Sequence, residues 1–207
     1  MQWNGLRRLP VMSYREKYGL EKDSYILYVG RISPEKGPQD LLEAYQKLRL
    51  QERLVLAGPI PETEFGKEMI RKIDADPRVI RTGLVQGQEL AELFSNCRLF
   101  VLPSHTEGLS LALLEAMSCG GRCLVSDIPA NTVITGQYGA EFEAENRDSL
   151  AAALSKELTT PKDEVLLKQE MEYVKENFDY DAVIEWHEDV YKCALNRKNE
   201  KRWEQNC

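Results

Sequence analysis

The most informative residues of this chain run Pro103-Ser-His-Thr-Glu-Gly-Leu-Ser-Leu-Ala-Leu-Leu-Glu-Ala-Met-Ser-Cys-Gly-Gly121. Glu107 and Glu115 stand in this run with seven residues between them. The apolar segment Leu99–Leu102 comes just before it and predicts a strand, and a helix is predicted over Ser110–Ser118. In open α/β folds ligands bind where a strand ends and turns into the next helix. The two carboxylates are therefore candidates for a binding site.

The start of the predicted helix is a candidate anion site. The backbone amides of Leu109, Ser110 and Leu111 are expected to have no acceptor within the helix, and the helix dipole makes that end positive. Carboxylates on both sides of such a site disfavour a bare phosphate. They suit a phosphate flanked by hydroxyl groups, which is the layout of a nucleotide sugar with its ribose, diphosphate and hexose.

Each glutamate also has a purely structural interpretation. Glu107 could cap the following helix, and Glu115 could form a salt bridge on the helix flank. Glu115 stands next to Leu114 and close to Leu113, however, where an unpaired charge is costly. Hydrogen bonds from the two hydroxyls of a ribose would offset that cost.

Along the chain, apolar runs alternate with amphipathic segments, which predicts βαβ units. Strands are predicted over Tyr25–Val29, Arg53–Ala57, Val79–Arg81, Leu99–Leu102, Cys123–Ser126 and Ala140–Phe142. Helices are predicted over Asp40–Leu48, Glu64–Ile73, Gln88–Phe94, Ser110–Ser118, Ser149–Leu158, Lys162–Asn177 and Tyr180–Leu195, with a loop after the fifth strand. This pattern indicates an α/β, Rossmann-like fold whose parallel sheet has helices on both faces and a helical C-terminal extension.

Length and composition favour a single domain. The chain of 207 residues is divided into a leading segment 1–20, a domain 21–195 and a polar tail 196–207. No apolar run reaches the roughly 18 residues of a membrane span and no secretory signal is evident, so we expect no transmembrane segment and a cytoplasmic location. The net charge of −7 disfavours a general nucleic-acid binder.

The cysteines and histidines predict no metal site and no acid–base centre. The five cysteines form no CxxC pair, which predicts reduced thiols. Cys119 and Cys123 could pair or bind a metal, but no His or carboxylate joins them at zinc-site spacing, and buried apolar roles are favoured. His105 is predicted to be an exposed loop residue, and His187 to pack in the last helix.

A second polar group follows the first predicted strand. The loop Gly30-Arg-Ile-Ser-Pro-Glu-Lys-Gly37 brings Arg31 and Lys36 to the same edge of the sheet as Glu107. Two cations there would neutralise a diphosphate and stabilise it as a leaving group. For either residue taken alone, an ordinary solvated loop cation is the alternative. The loop matches neither GxxxxGK[ST] nor GxGxxG, which disfavours kinases, ATPases and hydride-transfer enzymes.

Several blocks occur in an order that resembles one enzyme family. They are Val29-Gly-Arg-Ile-Ser-Pro-Glu-Lys-Gly37, Ala57-Gly58, Thr82-Gly-Leu-Val85, Pro103-Ser-His-Thr-Glu-Gly108, Leu114-Glu-Ala-Met117 and Ser126-Asp-Ile-Pro-Ala-Asn131. From Ser24 to Leu195 the chain resembles the C-terminal, donor-binding half of the retaining "group 1" glycosyltransferases of the GT-B fold. Met1-Gln-Trp-Asn-Gly-Leu6 resembles their interdomain linker, so the chain is expected to begin where their second domain begins.

The resemblance implies a role for each candidate residue. Arg31 and Lys36 would hold the diphosphate, Glu107 would accept hydrogen bonds from the donor hexose, and these three are the implied catalytic residues. Glu115 would hold the ribose. The remaining donor-binding residues would be Gly30, Gly108, Leu109 and Ser110 around the diphosphate and sugar, and Gly83, Leu84 and Val85 beside the nucleobase.

The resemblance predicts a hexosyltransferase that uses a nucleotide-diphosphate sugar of the UDP or GDP type, without metal or other cofactor and with retention of anomeric configuration. Its acceptor would be a carbohydrate or lipid-linked hydroxyl, as in polysaccharide biosynthesis. The acceptor domain is expected to be missing from this chain or to lie on a separate one, so the chain alone would have little activity. Two alternatives remain: a non-catalytic nucleotide-sugar-binding or interaction module, and half of a sugar-nucleotide epimerase.

Overall fold

The computed structural model describes residues 17 to 178, which form a parallel sheet between two layers of helices. The strands are β1 Tyr25–Val29, β2 Arg53–Ala57, β3 Val79–Gly83, β4 Leu99–Leu102, β5 Cys123–Ser126 and β6 Ala140–Phe142. The helices are α1 Pro38–Lys47, α2 Glu64–Asp74, α3 Gly87–Asn96, α4 Leu111–Ser118, α5 Pro129–Thr135, α6 Arg147–Thr159 and α7 Glu164–Phe178, with a 3-10 turn at Pro34–Lys36. The predicted α/β, Rossmann-like fold is confirmed.

Strand β1 illustrates why the sequence specifies a sheet covered on both sides. Tyr25 and Leu27 belong to one hydrophobic core, whereas Ile26 and Tyr28 belong to the other. Residues from α3, α4, α5 and α7 fill the first core, and residues from α1, α2 and α6 fill the second. Because both faces are buried, the strand is a continuous apolar run rather than an alternating one.

The order of the strands creates a crevice at the middle of the sheet. The order is β3-β2-β1-β4-β5-β6, with β1 and β4 as neighbours. Ile26 pairs with Leu99, and Leu27 pairs with Phe100. The chain winds outward from β1 to β3, returns to the centre at β4 and then winds the other way. The connections after β1 and β4 therefore lead to helices on opposite faces of the sheet, α1 and α4, and ligands of such folds bind in the crevice at this point.

One predicted loop is a helix. The residues after β5 form α5, with Pro129 at its first position. Proline suits this position because its φ is already helical and its missing N–H would have no acceptor there. β3 also runs two residues beyond its predicted end at Arg81, to Gly83. The predicted helix Tyr180–Leu195, with His187, and the segments 1–16 and 196–207 lie outside the described residues.

The described cysteines match their predicted role as buried apolar side chains. Cys97, Cys119 and Cys123 are free and buried. Burial raises the pKa of Cys97 to about 12 and that of Cys119 to about 11, which makes these thiols poor nucleophiles. Between residues 17 and 178 no group of three or more His, Cys, Asp or Glu could hold a metal ion. Within the same range, no helix has the length and apolar character of a membrane span.

Candidate functional site

Lys36 and Glu107 meet in the crevice between β1 and β4. Nζ of Lys36 lies 2.7 Å from Oε2 of Glu107, although the two residues are 71 positions apart in the chain. The Glu107 side chain is only 7% exposed and that of Lys36 is 26% exposed. Ser104 Oγ donates a hydrogen bond to the other carboxylate oxygen, Oε1, at 2.8 Å. The structure thus brings together two predicted site residues as a largely buried ion pair.

Arg31 lies in the same loop as Lys36 but has a different partner. Its Nη2 is 3.0 Å from Oε1 of Glu35, and its side chain is 61% exposed. Glu35 also accepts a hydrogen bond from Ser33 Oγ at 2.7 Å. The bond from Ser33, with help from Arg31, holds the pKa of Glu35 below its ordinary value. Glu35 therefore carries a negative charge beside Arg31, although it was not among the predicted site residues.

A close backbone contact ties the loops after β1 and β4 together. Gly37 has φ +66°, and a Cβ at this position would lie 2.0 Å from the carbonyl oxygen of Pro103. Beside it, the amide of His105 donates to the carbonyl of Glu35 at 2.9 Å. Glycine permits both the positive φ and the close approach. The distance between Lys36 and Glu107 therefore depends on this contact.

His105 is not the exposed loop residue that the sequence predicted. Its side chain is 22% exposed, and Nε2 lies 2.6 Å from Oδ2 of Asp40 on α1. Arg147 donates to the other oxygen of Asp40 at 2.6 Å. The prediction was wrong because the partner of His105 comes from a helix 65 residues earlier, which local sequence does not reveal.

The start of α4 is open to solvent in front of its first amides. The helix begins at Leu111, and Ser110 caps it by accepting a hydrogen bond from the amide of Leu113 at 3.3 Å. The interpretation of Glu107 as the cap is therefore wrong. Leu109 and Leu111 are each 59% exposed, and a Cβ at Gly108 would meet no atom within 4 Å. A ligand thus has room to reach the helix N-terminus, where backbone N–H groups favour anions.

Glu115 is half-buried on α4. Among residues 17 to 178 its carboxylate has neither a cation nor a hydrogen-bond donor, so the salt bridge on the helix flank is absent there. Burial raises the pKa of this carboxyl above its ordinary value. A half-buried charge without a partner is costly, and hydroxyl groups of a ligand would lower that cost.

The loop Gly83-Leu84-Val85 follows β3 at the same edge of the sheet. Leu84 is 67% exposed, whereas the Val85 side chain is buried and packs in the core that contains Phe94. A ligand can therefore meet the side chain of Leu84 and the loop backbone, but not the side chain of Val85. The inward orientation of Val85 is favoured because it removes an apolar side chain from water.

A family model matches the part of the chain that contains the crevice residues. The model for glycosyl transferases group 1 matches residues 12–176. The O-antigen chain mannosyltransferase B of Escherichia coli is 31% identical over 155 residues, which are 72% of this chain and 40% of that protein. The chain thus spans less than half the length of this relative.

Solved structures agree in fold. The sucrose-phosphate synthase of Thermosynechococcus elongatus is similar with a TM-score of 0.75 at 26% identity, over 91% of this chain and 50% of that one. HepE of Anabaena, solved in complex with UDP, has a TM-score of 0.80 over 93% of this chain and 56% of that one, at 19% identity. The second likeness concerns the fold alone. The family model covers well over half of the residues of this chain, and the chain therefore belongs to the group 1 glycosyltransferases.

Proposed function

We propose that this chain is the donor-binding half of a retaining glycosyltransferase that moves a hexose from a nucleotide-diphosphate sugar of the UDP or GDP type to an acceptor hydroxyl. The observation that carries the proposal is the Lys36–Glu107 ion pair in the central crevice, where Nζ and Oε2 are 2.7 Å apart. Family membership supports it, as does the carboxylate of Glu115, which has no partner among residues 17 to 178. HepE of Anabaena, which is similar in fold, was also solved in complex with UDP-glucose, and a donor of this class fits the proposal.

The chemistry follows from the charges in the crevice. As the acceptor oxygen bonds to the anomeric carbon, the bond from that carbon to the diphosphate breaks and its electron pair stays on the departing phosphate oxygen, which takes up the proton of the acceptor hydroxyl. Lys36 has three N–H donors and uses one on Glu107, so two are left for the diphosphate. Arg31 and the amides at the start of α4 would add to this stabilisation. In this proposal these groups do the work of a divalent metal.

Glu107 would hold the donor sugar rather than a phosphate. Its two oxygens already accept bonds from Ser104 and Lys36, and the remaining lone pairs would accept hexose hydroxyls. Because the chain spans about half of the solved enzymes it resembles, we assign the carbohydrate or lipid-linked acceptor to a further domain, on this protein or on a partner chain. Transfer requires that domain, since much of the rate comes from holding both reactants in place.

The first test is calorimetric titration of the full chain with UDP, GDP, ADP and their common sugars, without divalent metal. Glu115→Ala should lower the affinity for the nucleotide that binds by about 30-fold, because the loss of two hydrogen bonds to a charged group is partly offset by removing a half-buried charge. Glu172→Ala, which removes an exposed carboxylate from α7, is the matched control and should change nothing. Unchanged affinity in Glu115→Ala would contradict the ribose role. Failure of the folded wild type to bind any nucleotide would contradict the proposed function.

Nucleotide affinity should also depend on pH through Glu115. The ionised carboxylate accepts both ribose hydroxyls, and burial raises its pKa, so acidification protonates it at a higher pH than an exposed glutamate. Affinity should therefore fall as the pH is lowered toward that raised pKa. Glu115→Gln cannot take up this proton and should bind weakly with a flatter pH profile. Identical profiles for the two proteins would refute the assignment.

Removing the charge of Glu35 should strengthen nucleotide binding. Glu35 occupies Arg31 at 3.0 Å and repels an incoming diphosphate, so Glu35→Gln should raise affinity about threefold to tenfold at low salt. Titration at low and high ionic strength measures the effect, which should shrink as salt increases. Glu64→Gln breaks a comparably exposed pair with Lys67 on α2 and should leave affinity unchanged. If Glu35→Gln binds the nucleotide more weakly than the wild type, Glu35 supports the conformation of the loop and does not compete with the ligand.

A further inference from the structure

A buried series of hydrogen bonds connects Glu107 to α5. Ser104 Oγ donates to Oε1 of Glu107 at 2.8 Å. The carbonyl oxygen of Ser104 accepts from Ser126 Oγ, at the end of β5, at 2.5 Å. Ser126 Oγ in turn accepts from Nδ2 of Asn131 at 3.0 Å. Ser104, Ser126 and Asn131 all have 0% exposure, so water does not compete for these bonds.

The direction of each bond is determined by the groups that make it. Ser126 has a single hydroxyl proton, which it donates to the Ser104 carbonyl, and its oxygen is therefore free to accept from the Asn131 amide. The hydroxyl proton of Ser104 goes to Glu107. With Lys36 on Oε2, each oxygen of the carboxylate has one fixed donor. The plane of the Glu107 carboxylate is thereby set from two sides.

Stability alone does not account for Asn131 at this place. Its Oδ1 is buried and has no hydrogen-bond partner within residues 17 to 178. A buried acceptor without a partner costs free energy that an apolar side chain of similar size would avoid. The N–H bonds of Asn131 to the hydroxyl and carbonyl of Ser126 are what the amide contributes.

We propose that Ser126 and Asn131 are positioning residues that hold the loop of Ser104, and through the Ser104 hydroxyl the carboxylate of Glu107, in the orientation that receives the donor sugar. The inference rests on the proposed function, because it assumes that Glu107 binds the sugar. Neither residue would touch the ligand, since both are fully buried. Their loss should therefore impair recognition of the sugar and spare recognition of the diphosphate, which depends on Lys36 and the α4 amides.

The test compares the affinity for a nucleotide sugar with that for its nucleoside diphosphate. The probes are UDP with UDP-glucose and GDP with GDP-mannose, titrated into the full chain by calorimetry. Ser126→Ala should lower the sugar-nucleotide affinity about tenfold and keep the diphosphate affinity within about twofold, the effect of one or two misplaced hydrogen bonds. Asn131→Leu, which keeps the volume and removes the N–H donors, should act in the same direction. Ser95→Ala removes a buried hydroxyl from α3 and serves as control.

A double-mutant cycle separates positioning from general damage. In a Glu107→Ala background, Ser126→Ala should have no further effect on the sugar-nucleotide affinity, because the group it positions is gone. Equal losses for both ligands, or losses that add in the double variant, would overturn the inference. If the wild type binds diphosphates and Glu107→Ala leaves the sugar preference intact, the inference fails together with the sugar role of Glu107, while the donor-binding function stands. If the wild type binds no nucleotide, the proposed function fails and the inference falls with it.

Discussion

Lys36→Ala is expected to lower nucleoside diphosphate affinity about 100-fold or more. The substitution removes charge-assisted bonds to the diphosphate, each worth about 1.5–3 kcal/mol. It also leaves the Glu107 carboxylate, only 7% exposed, without its cation, so that Glu107 repels the incoming phosphates. Calorimetric titration with UDP and GDP measures the loss. Lys67→Ala, which breaks an exposed pair with Glu64 at 2.7 Å, is the matched control.

The contribution of this repulsion can be measured separately. In the Lys36→Ala/Glu107→Gln double variant the uncompensated charge is gone, so diphosphate affinity should recover part of the loss although the sugar contact is weakened. Lys36→Arg keeps a charge but replaces a compact ammonium by a planar fork, and should restore binding only in part. Wild-type affinity in Lys36→Ala would show that the diphosphate is bound elsewhere.

Gly37→Ala is expected to destabilise the protein by about 3 kcal/mol or more, and so to lower Tm by roughly 10 °C. The added Cβ would lie 2.0 Å from the Pro103 carbonyl oxygen, and φ at this residue is +66°. Backbone on both sides must move to accommodate it. The loops that carry Lys36 and Glu107 would then separate, so nucleotide binding should fall together with stability. Thermal unfolding of the full chain, with and without UDP or GDP, measures both effects.

Gly108→Ala is the control for this substitution. Gly108 has no positive φ, and its Cβ would meet no atom within 4 Å. Stability should therefore stay within about 0.5 kcal/mol of the wild type. Nucleotide binding should nevertheless weaken, because a methyl group would stand in front of the α4 amides. If Gly37→Ala is as stable as Gly108→Ala, the loop contact does not have the structural role we assign to it.

Most elements of the fold were predictable because buried strands and helices have recognisable patterns of apolar residues in the local sequence. β1, β2, β4, β5 and β6 have the predicted bounds. The first four are almost entirely buried and are therefore mostly apolar runs closed by turn residues, whereas β6 is a three-residue strand at the edge of the sheet. α5 was missed because β-branched and polar residues such as Thr132 and Val133 are weak helix formers, and its helical start depends on Pro129. The edge of the sheet that carries Lys36 and Glu107 was also predictable, since both follow strands of a parallel sheet.

The sequence by itself therefore determined the fold class, the order of the strands and of every described helix except α5, and the residues at the carboxyl edge of the sheet. The tertiary structure decided which of them touch: Lys36 pairs with Glu107, His105 with Asp40, and Ser126 with Ser104. These partners are 71, 65 and 22 residues apart. Local patterns encode burial and turns within a few residues, whereas such contacts depend on strand order and on how closely neighbouring loops approach. The pairing of β1 with β4 and the close contact at Gly37 bring about the contact between Lys36 and Glu107.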